Sequence, residues 1–248
     1  EINLPNISLS EITTNLNMTR ETARRKLLDL EKQNIIKRAG QKIVLAKLAL
    51  SLQKPENSIK KLSIFFEKIS ILLSAQDWFG TSLDRDEIEL YFNKYYTVFW
   101  NHFFKMQIPF LIRWKVVFGD LETWTIWANI GINNTANLEK ISKSLNKEIS
   151  LEGSGDKNNF FNNIGGNEPR EGINATSIAA ISGIPRATVL RKLKKLLSEK
   201  IIKRNKKLEY VLSNQGKLNE KVKANFLINQ KNIALFVTDI FNLIKNLH

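Results

Sequence analysis

The sequence predicts a mainly α-helical fold with small β-hairpins, in which two copies of one unit are joined by an aromatic-rich helical region. Three observations predict this class. Residues 12–38 and 178–204 are versions of one segment set 166 positions apart, with eleven of 27 positions identical. In each copy, apolar residues recur at helical spacing and short β-leaning segments follow. Because the two copies share one sequence, one structural unit must explain both. Between the copies, fifteen aromatic residues are concentrated from position 78 to position 127.

The charge of the chain follows the two copies. The 248 residues carry 38 Lys and Arg against 24 Asp and Glu, a net charge of +14. Residues 1–53 contribute +4 and residues 173–248 contribute +11, whereas 54–145 contribute +1 and 146–172 contribute −2. A local excess of Lys and Arg releases counterions from phosphates, so a polyanionic partner is predicted. The alternative is a soluble basic protein from a lysine-rich proteome, whose charge serves no partner.

Composition excludes several classes of protein. With 43% hydrophobic and 25% charged residues the chain has a globular composition, and its length allows two modest cores. The absence of cysteine excludes a disulfide framework, a thiol nucleophile and a thiolate metal site. No signal peptide and no run of about 18 apolar residues is evident, so we expect a cytoplasmic protein with no membrane contact.

The first copy predicts a helix over 11–16, a turn at Asn17 and a longer helix over 19–32. Thr19 is placed to cap the longer helix with its hydroxyl. The inward face of that helix is predicted to carry Ala23, Leu27 and Leu30.

The second copy repeats this order. Ile178 and Ile181 predict a short helix, and Gly183 follows as a turn residue. Pro185 lies where a first helical turn tolerates proline, because an N–H there would be unpaired anyway. The helix predicted over 186–199 has a densely basic exterior. Its apolar face consists of Val189, Leu193, Leu196 and Leu197.

A β-hairpin with a basic tip is predicted after each long helix. The first hairpin spans 35–45, with a basic turn over 37–42. The second spans 201–212, with a basic turn over 203–207. Both begin with the same sequence, Ile-Ile-Lys-Arg, so the hairpin belongs to the repeated unit.

Helix, tight turn, basic helix and two-stranded hairpin is the order of a winged helix-turn-helix domain. The segment 183–193, Gly-Ile-Pro-Arg-Ala-Thr-Val-Leu-Arg-Lys-Leu, resembles the recognition helix of bacterial winged-helix transcriptional regulators of the broad MarR-like and IclR-like kind. The first copy is similar, but Glu21 replaces Ala187 and Arg24 replaces Leu190. The resemblance covers about 40 residues per copy. The two copies are therefore not expected to read the same bases.

The resemblance implies a DNA-binding transcriptional regulator that binds duplex half-sites and needs no cofactor. Its helices would enter major grooves, where Arg pairs with guanine, and its wings would meet phosphates or the minor groove. The candidate residues in the helices are Arg20, Thr22, Arg24, Arg25, Arg186, Thr188, Arg191 and Lys192. The candidate residues in the wings are Lys37, Arg38, Lys42, Lys203, Arg204, Lys206 and Lys207.

Three alternatives to this function stay open. A basic helix exterior is often only a solvated face. A plasmid or phage replication initiator also uses paired winged helices on repeated DNA sites. A tandem winged-helix scaffold would use the same surfaces for protein contacts, and an exposed apolar face would favour it.

A trailing helix with an apolar stripe follows each wing. In the first copy the stripe consists of Leu62, Ile64, Phe65, Ile69, Leu72 and Leu73. In the second copy, offset by 171 positions, it consists of Ile233, Leu235, Phe236, Ile240, Leu243 and Ile244. These helices are predicted either to pair units, in an intramolecular pseudo-dimer or a homodimer, or to complete the core of their own unit.

The second unit also needs a leading helix, and 121–132 or 138–145 are predicted to supply it. The first copy has ten residues before Glu11, so we expect a fragment of a longer protein whose missing part resembles 84–145. The predicted organisation is a first unit over 1–75, a helical aromatic-rich connection over 76–148, a loop over 149–172 and a second unit over 173–248.

The aromatic residues of the connection are predicted to be core, with a pocket for a small apolar effector as the alternative. They are Trp78, Phe79, Tyr91, Phe92, Tyr95, Tyr96, Phe99, Trp100, Phe103, Phe104, Phe110, Trp114, Phe118, Trp124 and Trp127. His102 is the only internal histidine and is predicted to be a packed or surface residue rather than a metal ligand. The acidic run from Asp84 to Glu89 is predicted to begin a helix. No phosphate-binding loop or Ser/His/Asp constellation can be assembled, so no enzymatic activity is expected.

Overall fold

The computed structural model describes residues 7–39, 42–46, 56–76, 80–145 and 171–247. They form helices and small antiparallel sheets, so the mainly α-helical class with β-hairpins is confirmed. The chain divides into two compact units, Glu1–Phe99 and Trp100–His248, and their boundary lies inside the predicted connection. Trp78, Phe79 and most of the predicted loop over 149–172 lie outside the described residues. Within the described ranges, no helix combines the length and apolar character needed to cross a membrane.

The first unit contains a three-stranded sheet and four helices among its described residues. Its elements are β1 (Ile7–Ser8), α1 (Leu9–Asn15), α2 (Arg20–Lys32), β2 (Ile36–Ala39), β3 (Lys42–Leu45), α3 (Glu56–Ser74) and α4 (Arg85–Lys94). The strand order is β1-β3-β2, and both pairings are antiparallel. Asp84 caps α4, accepting a hydrogen bond from the Asp86 N–H at 2.8 Å, so the acidic run begins a helix as predicted.

The second unit contains five helices and a two-stranded sheet among its described residues. Its elements are α5 (Tyr96–Phe118), which begins in the first unit, α6 (Leu121–Leu145), α7 (Ala175–Ser182), α8 (Arg186–Ser198), β4 (Ile202–Arg204), β5 (Tyr210–Leu212) and α9 (Leu218–Leu247). The predicted order of short helix, turn, long helix and hairpin is therefore present in both units.

Backbone conformation repeats at the same interval as the sequence. Asn17 follows α1 with a φ of 45°, and Gly183, 166 positions later, ends α7 with a φ of 68°. Asn34 and Lys200, also 166 apart, follow α2 and α8 with φ values of 55° and 58°. A left-handed residue at the end of a helix turns the chain sharply, and a lysine adopts it only when its surroundings require it. The duplicated sequence therefore encodes a duplicated chain path.

The two hairpins share their register. In the first, Ile36 pairs with Leu45 and Arg38 with Ile43. The corresponding pairs in the second are Ile202 with Leu212 and Arg204 with Tyr210. The offset is 166 in the first strand of each pair and 167 in the second strand, so the second hairpin has one more residue in its turn.

A further β pairing, which the sequence did not predict, precedes each short helix. Ile7 of β1 pairs with Ile43 of β3. In the second unit Ile173, 166 positions later, forms an isolated bridge with Tyr210, with N–H···O distances of 3.1 and 2.9 Å. The repeated unit therefore begins about five residues earlier than the identical positions indicate.

The core of the second unit forms where α6 packs against α7, α8 and β5. Both segments proposed as its leading helix belong to α6, so that prediction is confirmed. The buried apolar residues at this junction are Ile126, Ile130 and Leu138 of α6, Ile178 of α7, Val189, Leu193 and Leu196 of α8, and Leu212 of β5. Each such side chain contributes about 1.5–3 kcal/mol when fully buried, so this junction is a large contribution to the stability of the unit.

The trailing helix of the first unit buries a different face from the predicted stripe. Its buried residues are Ile59, Ser63, Phe66 and Ser70, whereas Leu72 is 63% exposed, so the predicted stripe is wrong for α3. Helix α4 packs closely here, with the Phe66 ring edge-on to Phe92 at 5.6 Å and the Leu83 N–H donating to Ser70 Oγ at 3.1 Å. Small serines fit this close contact. In α9, the predicted Phe236, Ile240 and Ile244 are buried but Leu235 is 53% exposed, so the stripe is confirmed only in part.

We predict that Asn174→Ala destabilises the second unit by about 1 kcal/mol, because Asn174 caps α7. Its Oδ1 accepts a hydrogen bond from the Ser177 N–H at 2.9 Å. Asn174→Ser retains a capping oxygen and should stay within about 0.5 kcal/mol of the parent chain. Urea unfolding measures both, and equal destabilisation by the two variants would contradict a capping role.

Candidate nucleic-acid interface

Helix α8 divides into a buried face and a basic outer face. Val189 and Leu193 are fully buried, whereas Arg186, Arg191 and Lys194 are exposed. The sequence of α8 contains five basic residues and no acidic one, while α2 contains five basic and three acidic residues. The outer face of α8 is therefore the more strongly cationic of the two.

The amino-terminal end of α8 lacks the usual helix cap. Pro185 occupies the N-cap position without a side-chain hydrogen bond, and no acidic residue lies in the first turn. Arg186, the first helical residue, donates from Nε to Thr176 Oγ1 at 3.3 Å. A cation at this end of a helix is disfavoured by the helix dipole, whereas an anion is favoured. Uncapped N–H groups beside an arginine suit a phosphate.

Lys192 is not available to a nucleic acid, so its prediction as a DNA contact is wrong. Its side chain is 7% exposed, and Nζ lies 2.7 Å from Asp120 Oδ1 and 3.2 Å from Glu122 Oε2. It also donates to Thr123 Oγ1 at 3.2 Å. Position 192 lies between 189 and 196 on the buried face, and Asp120 and Glu122 meet the lysine there.

Two lysines of α8 hold the turn between α5 and α6. Asp120 accepts from the Thr123 N–H at 2.7 Å and from Lys192, and Lys195 Nζ donates to the Phe118 carbonyl at 3.3 Å. Burial would raise the pKa of Asp120, but the hydrogen bonds from Lys192 and Thr123 outweigh it and lower the pKa. These contacts join α8 to the turn between α5 and α6.

We predict that Asp120→Asn lowers the melting temperature at neutral pH but not in strong acid. A lowered folded pKa contributes stability above the ordinary value of 3.8, and this contribution is lost as the pH falls through the folded value. Asparagine can still accept from the Thr123 N–H, so the cap is retained. Thermal unfolding of both chains between neutral pH and about pH 2 measures the gap. A gap that persists in acid would contradict a charge-dependent contact.

The tip of the second hairpin is built by two polar residues that hold two lysines outward. Asn205 Oδ1 accepts from the Lys207 and Glu209 N–H groups at 3.0 and 2.9 Å. Its Nδ2 donates to Glu209 Oε2 at 2.9 Å. The Glu209 carboxylate also accepts from the Gly172 N–H at 2.9 Å. The hydrogen bonds from Asn205 and Gly172 lower the pKa of Glu209. Lys206 and Lys207 are exposed on this ordered tip.

The equivalent arginines of the two hairpins have different partners. Arg38 Nε lies 3.2 Å from Glu31 Oε2, so its charge is paired with a carboxylate. Arg204, 166 positions later, donates to the Tyr210 hydroxyl at 2.9 Å and lies 5.2 Å from the centre of that ring. A tyrosine orients the guanidinium without neutralising it. The charge of Arg38 is therefore offset by a carboxylate, whereas the charge of Arg204 is not offset by its tyrosine partner.

The first unit presents a weaker version of the same surface. Arg20, Arg24, Arg25 and Lys37 are exposed. Thr22 serves the N-cap of α2, because its N–H donates to Thr19 Oγ1 at 3.3 Å and its hydroxyl accepts from Thr19. The cap predicted at Thr19 is confirmed, and the Thr19 hydroxyl also donates to the Thr22 hydroxyl. The Lys42 side chain lies outside the described residues.

The structure adds residues that the candidate set omitted. Ala187, Leu190 and Lys194 are exposed beside Arg186 and Arg191 on α8. The candidate Thr188 is half-buried, and Lys203 is exposed on β4. Asn205 and Glu209 position the hairpin tip, and the signal for them was an asparagine beside two lysines in a short turn.

His102 belongs to a different surface of the second unit. Its Nδ1 lies 3.5 Å from Asp239 Oδ2, and about a quarter of the side chain is exposed. The described residues contain no group of three or more His, Asp and Glu side chains that could hold a metal ion. His102 is thus a partly packed residue, as predicted.

No protein-family model matches this chain, and no match was found among curated proteins or solved structures. The functional assignment is accordingly based on the geometry and charge of the second unit. Its features are an exposed basic helix face, an uncapped helix start and an ordered basic hairpin tip.

Proposed function

We propose that this chain binds double-stranded DNA through α8 and the β4–β5 hairpin, as a winged helix-turn-helix transcriptional regulator. The observation that supports the proposal is the division of charge in α8. Lys192 and Lys195 bind groups within the unit, while Arg186, Arg191 and Lys194 are exposed and form no salt bridge with a described residue. Exposed uncompensated cations on one helix face match the phosphates that flank a major groove.

The outer face of α8 has the chemistry needed to distinguish bases. Arg186 and Arg191 can pair bidentately with guanine in the major groove. Ala187 and Leu190, exposed between them, can contact a thymine methyl group. Lys206 and Lys207 at the hairpin tip would then bind phosphates on one side and set the register.

The first unit is proposed as a second, weaker DNA contact. Its α2 carries three carboxylates among its arginines, and Arg38 is paired with Glu31. A regulator with unequal units would bind one half-site tightly and the other loosely. The two half-sites would be presented by one chain, as a pseudo-dimer, or by two chains. The regulatory role is supported by the resemblance of residues 183–193 to bacterial regulators.

A protein-binding scaffold is the second candidate, and exposed apolar side chains favour it. Ile181 is 64% exposed at the end of α7, and Leu208 is 69% exposed at the hairpin tip. A partner with an acidic and apolar surface would cover both these residues and the arginines. Single exposed apolar residues are common on monomers, however, so the charge pattern carries more weight.

The proposal is tested by measuring the affinity of the whole chain for a fluorescently labelled random duplex at several salt concentrations. Six or more phosphate contacts lower the affinity by about a thousandfold between about 50 and 200 mM salt. We expect a linear fall of log affinity with log salt. Undetectable or salt-insensitive binding would reject the proposal and leave the scaffold candidate.

A further inference from the structure

The second unit contains an apolar cavity whose wall includes the hairpin. Its volume is about 560 Å³, and it lies among α5, α6, α9 and β5. Trp114 of α5, Trp124 and Trp127 of α6, and Leu212 of β5 line it. Cavities of about 300–1,000 Å³ hold small organic ligands in proteins. The cavity is therefore large enough for a molecule of two or three fused rings.

The tryptophans form a continuous aromatic wall. The Trp114 and Trp124 rings are stacked, with centroids 6.3 Å apart and planes at 20°. Trp127 lies 5.6 Å from Trp114, and Phe110 is edge-on to Trp124 at 5.7 Å. Rings held by one another keep their orientation, so they offer a flat face to a flat ligand.

One polar group in the wall has an unused donor. Asn229 is 3% exposed, and its Oδ1 accepts from Arg113 Nε and a terminal guanidinium nitrogen at 2.9 and 2.7 Å. This arrangement fixes which end of the amide is oxygen, because the guanidinium can only donate. The opposite atom, Asn229 Nδ2, is buried and has no partner among the described residues. Trp114 Nε1 is likewise buried and has no hydrogen-bond partner among the described residues.

We propose that this cavity binds a small, uncharged, flat apolar molecule whose single oxygen accepts a hydrogen bond from Asn229 Nδ2. The described lining contains no ionisable side chain, so a charged ligand would lose its hydration without compensation. An extended polypeptide segment fits poorly for the same reason, because its many backbone N–H and C=O groups would find few partners there. Ligand binding here does not require the proposed DNA contact, although Leu212 of the β4–β5 hairpin lines the cavity.

The test uses Prodan, an uncharged naphthalene ketone, with N-phenylnaphthylamine as a matched probe that lacks the carbonyl. Prodan should bind the whole chain saturably, with blue-shifted emission and quenching of tryptophan fluorescence. N-phenylnaphthylamine should bind about tenfold more weakly, because it leaves the Asn229 donor unpaired.

Two variants locate the site. Ala136 lies in the lining and is exposed, so a larger side chain there can occupy the cavity without clashing with the core. Ala136→Phe should therefore abolish binding of both probes. Ala234→Phe makes the same change on α9 outside the lining and should have no effect. Asn229→Asp keeps the oxygen facing Arg113 and removes the donor, so it should weaken Prodan about tenfold and N-phenylnaphthylamine less than about threefold.

The inference would be overturned if neither probe bound the parent chain, if Ala136→Phe left binding unchanged, or if Asn229→Asp weakened both probes equally. Far-UV circular dichroism of each variant verifies folding, so a loss of structure is recognised separately. The probe measurements contain no DNA. Failure of ligand binding can therefore be told apart from failure of DNA binding in the salt experiment.

Discussion

Replacing Arg186 and Arg191 together with alanine is expected to weaken duplex binding by at least about 30-fold and to leave the melting temperature nearly unchanged. Both side chains lie on the outer face of α8 and carry charges unpaired by any described carboxylate. Each lost phosphate or guanine contact costs about 1–3 kcal/mol of binding and lowers the salt slope by about one. Fluorescence anisotropy with a labelled duplex measures the affinity and the slope together.

The duplication provides the matched control for this experiment. Arg20 and Arg25 occupy the same positions in α2, and their double alanine variant removes the same two charges. We expect a loss of less than about fivefold, because Glu21, Asp29 and Glu31 already reduce the positive charge of α2. Equal losses from the two pairs would show that net charge alone governs binding. In that case the proposed role of the α8 face would be wrong.

Lys192→Ala is expected to have the opposite effect, destabilising the second unit by about 2–3 kcal/mol and leaving DNA affinity within about twofold. Removing the ammonium group leaves Asp120 and Glu122 without their shared partner and opens a gap beside Leu193. Both carboxylates are about half-exposed and can regain water, which keeps the loss below that of a fully buried pair. Urea unfolding at neutral pH measures the change.

Lys192→Met separates the two components of that loss. Methionine replaces the packing of the alkyl chain but not the ion pair, so it should recover about half of the stability lost in Lys192→Ala. DNA binding is measured well below the unfolding transition, where both variants are folded. A large loss of affinity in either variant would return Lys192 to the DNA-contacting set.

Sequence periodicity predicted the parts of the fold in which apolar residues decide the structure. The helices α2 and α8, both hairpins and the leading helix α6 belong to this group, because their inward residues recur at regular spacing. Leu27 and Leu193 are buried at equivalent positions, as the duplicated pattern requires. The positions of the turns at Asn17 and Gly183 were also predicted, because few residue types favour a left-handed backbone.

The sequence could not reveal which basic residues have internal partners. Lys26 and Lys192 are identical in the alignment of the two copies, yet Lys26 is exposed and Lys192 is buried. The difference depends on Asp120, which lies 72 positions from Lys192 and in a region with no repeat partner. Helical position alone does not separate the two lysines, because each lies between inward residues at the same spacing. A lysine is buried there only where an acidic partner meets it.

Short strands and close helix contacts were also beyond the reach of periodicity. The two residues of β1 are too few to show an alternating pattern, and Ile173 pairs through a single bridge. On α3, Ser63 and Ser70 occupy the buried face, and hydrophobicity alone assigns them to solvent. Their burial depends on the approach of α4, which is a tertiary property.

The hydrogen bonds on the outer side of β5 have a consequence for aggregation. The two outward N–H groups of this strand belong to Tyr210 and Leu212, and they donate to the Ile173 carbonyl and to Asn134 Oδ1, each at 2.9 Å. A strand from another molecule therefore finds no free donors along this edge. The opposite edge is β4, whose three residues include Lys203 and Arg204, and charged side chains oppose edge-to-edge addition. Lys203 and Arg204, which belong to the hairpin proposed to contact DNA, would thus also keep the unbound protein from associating through the β4–β5 sheet.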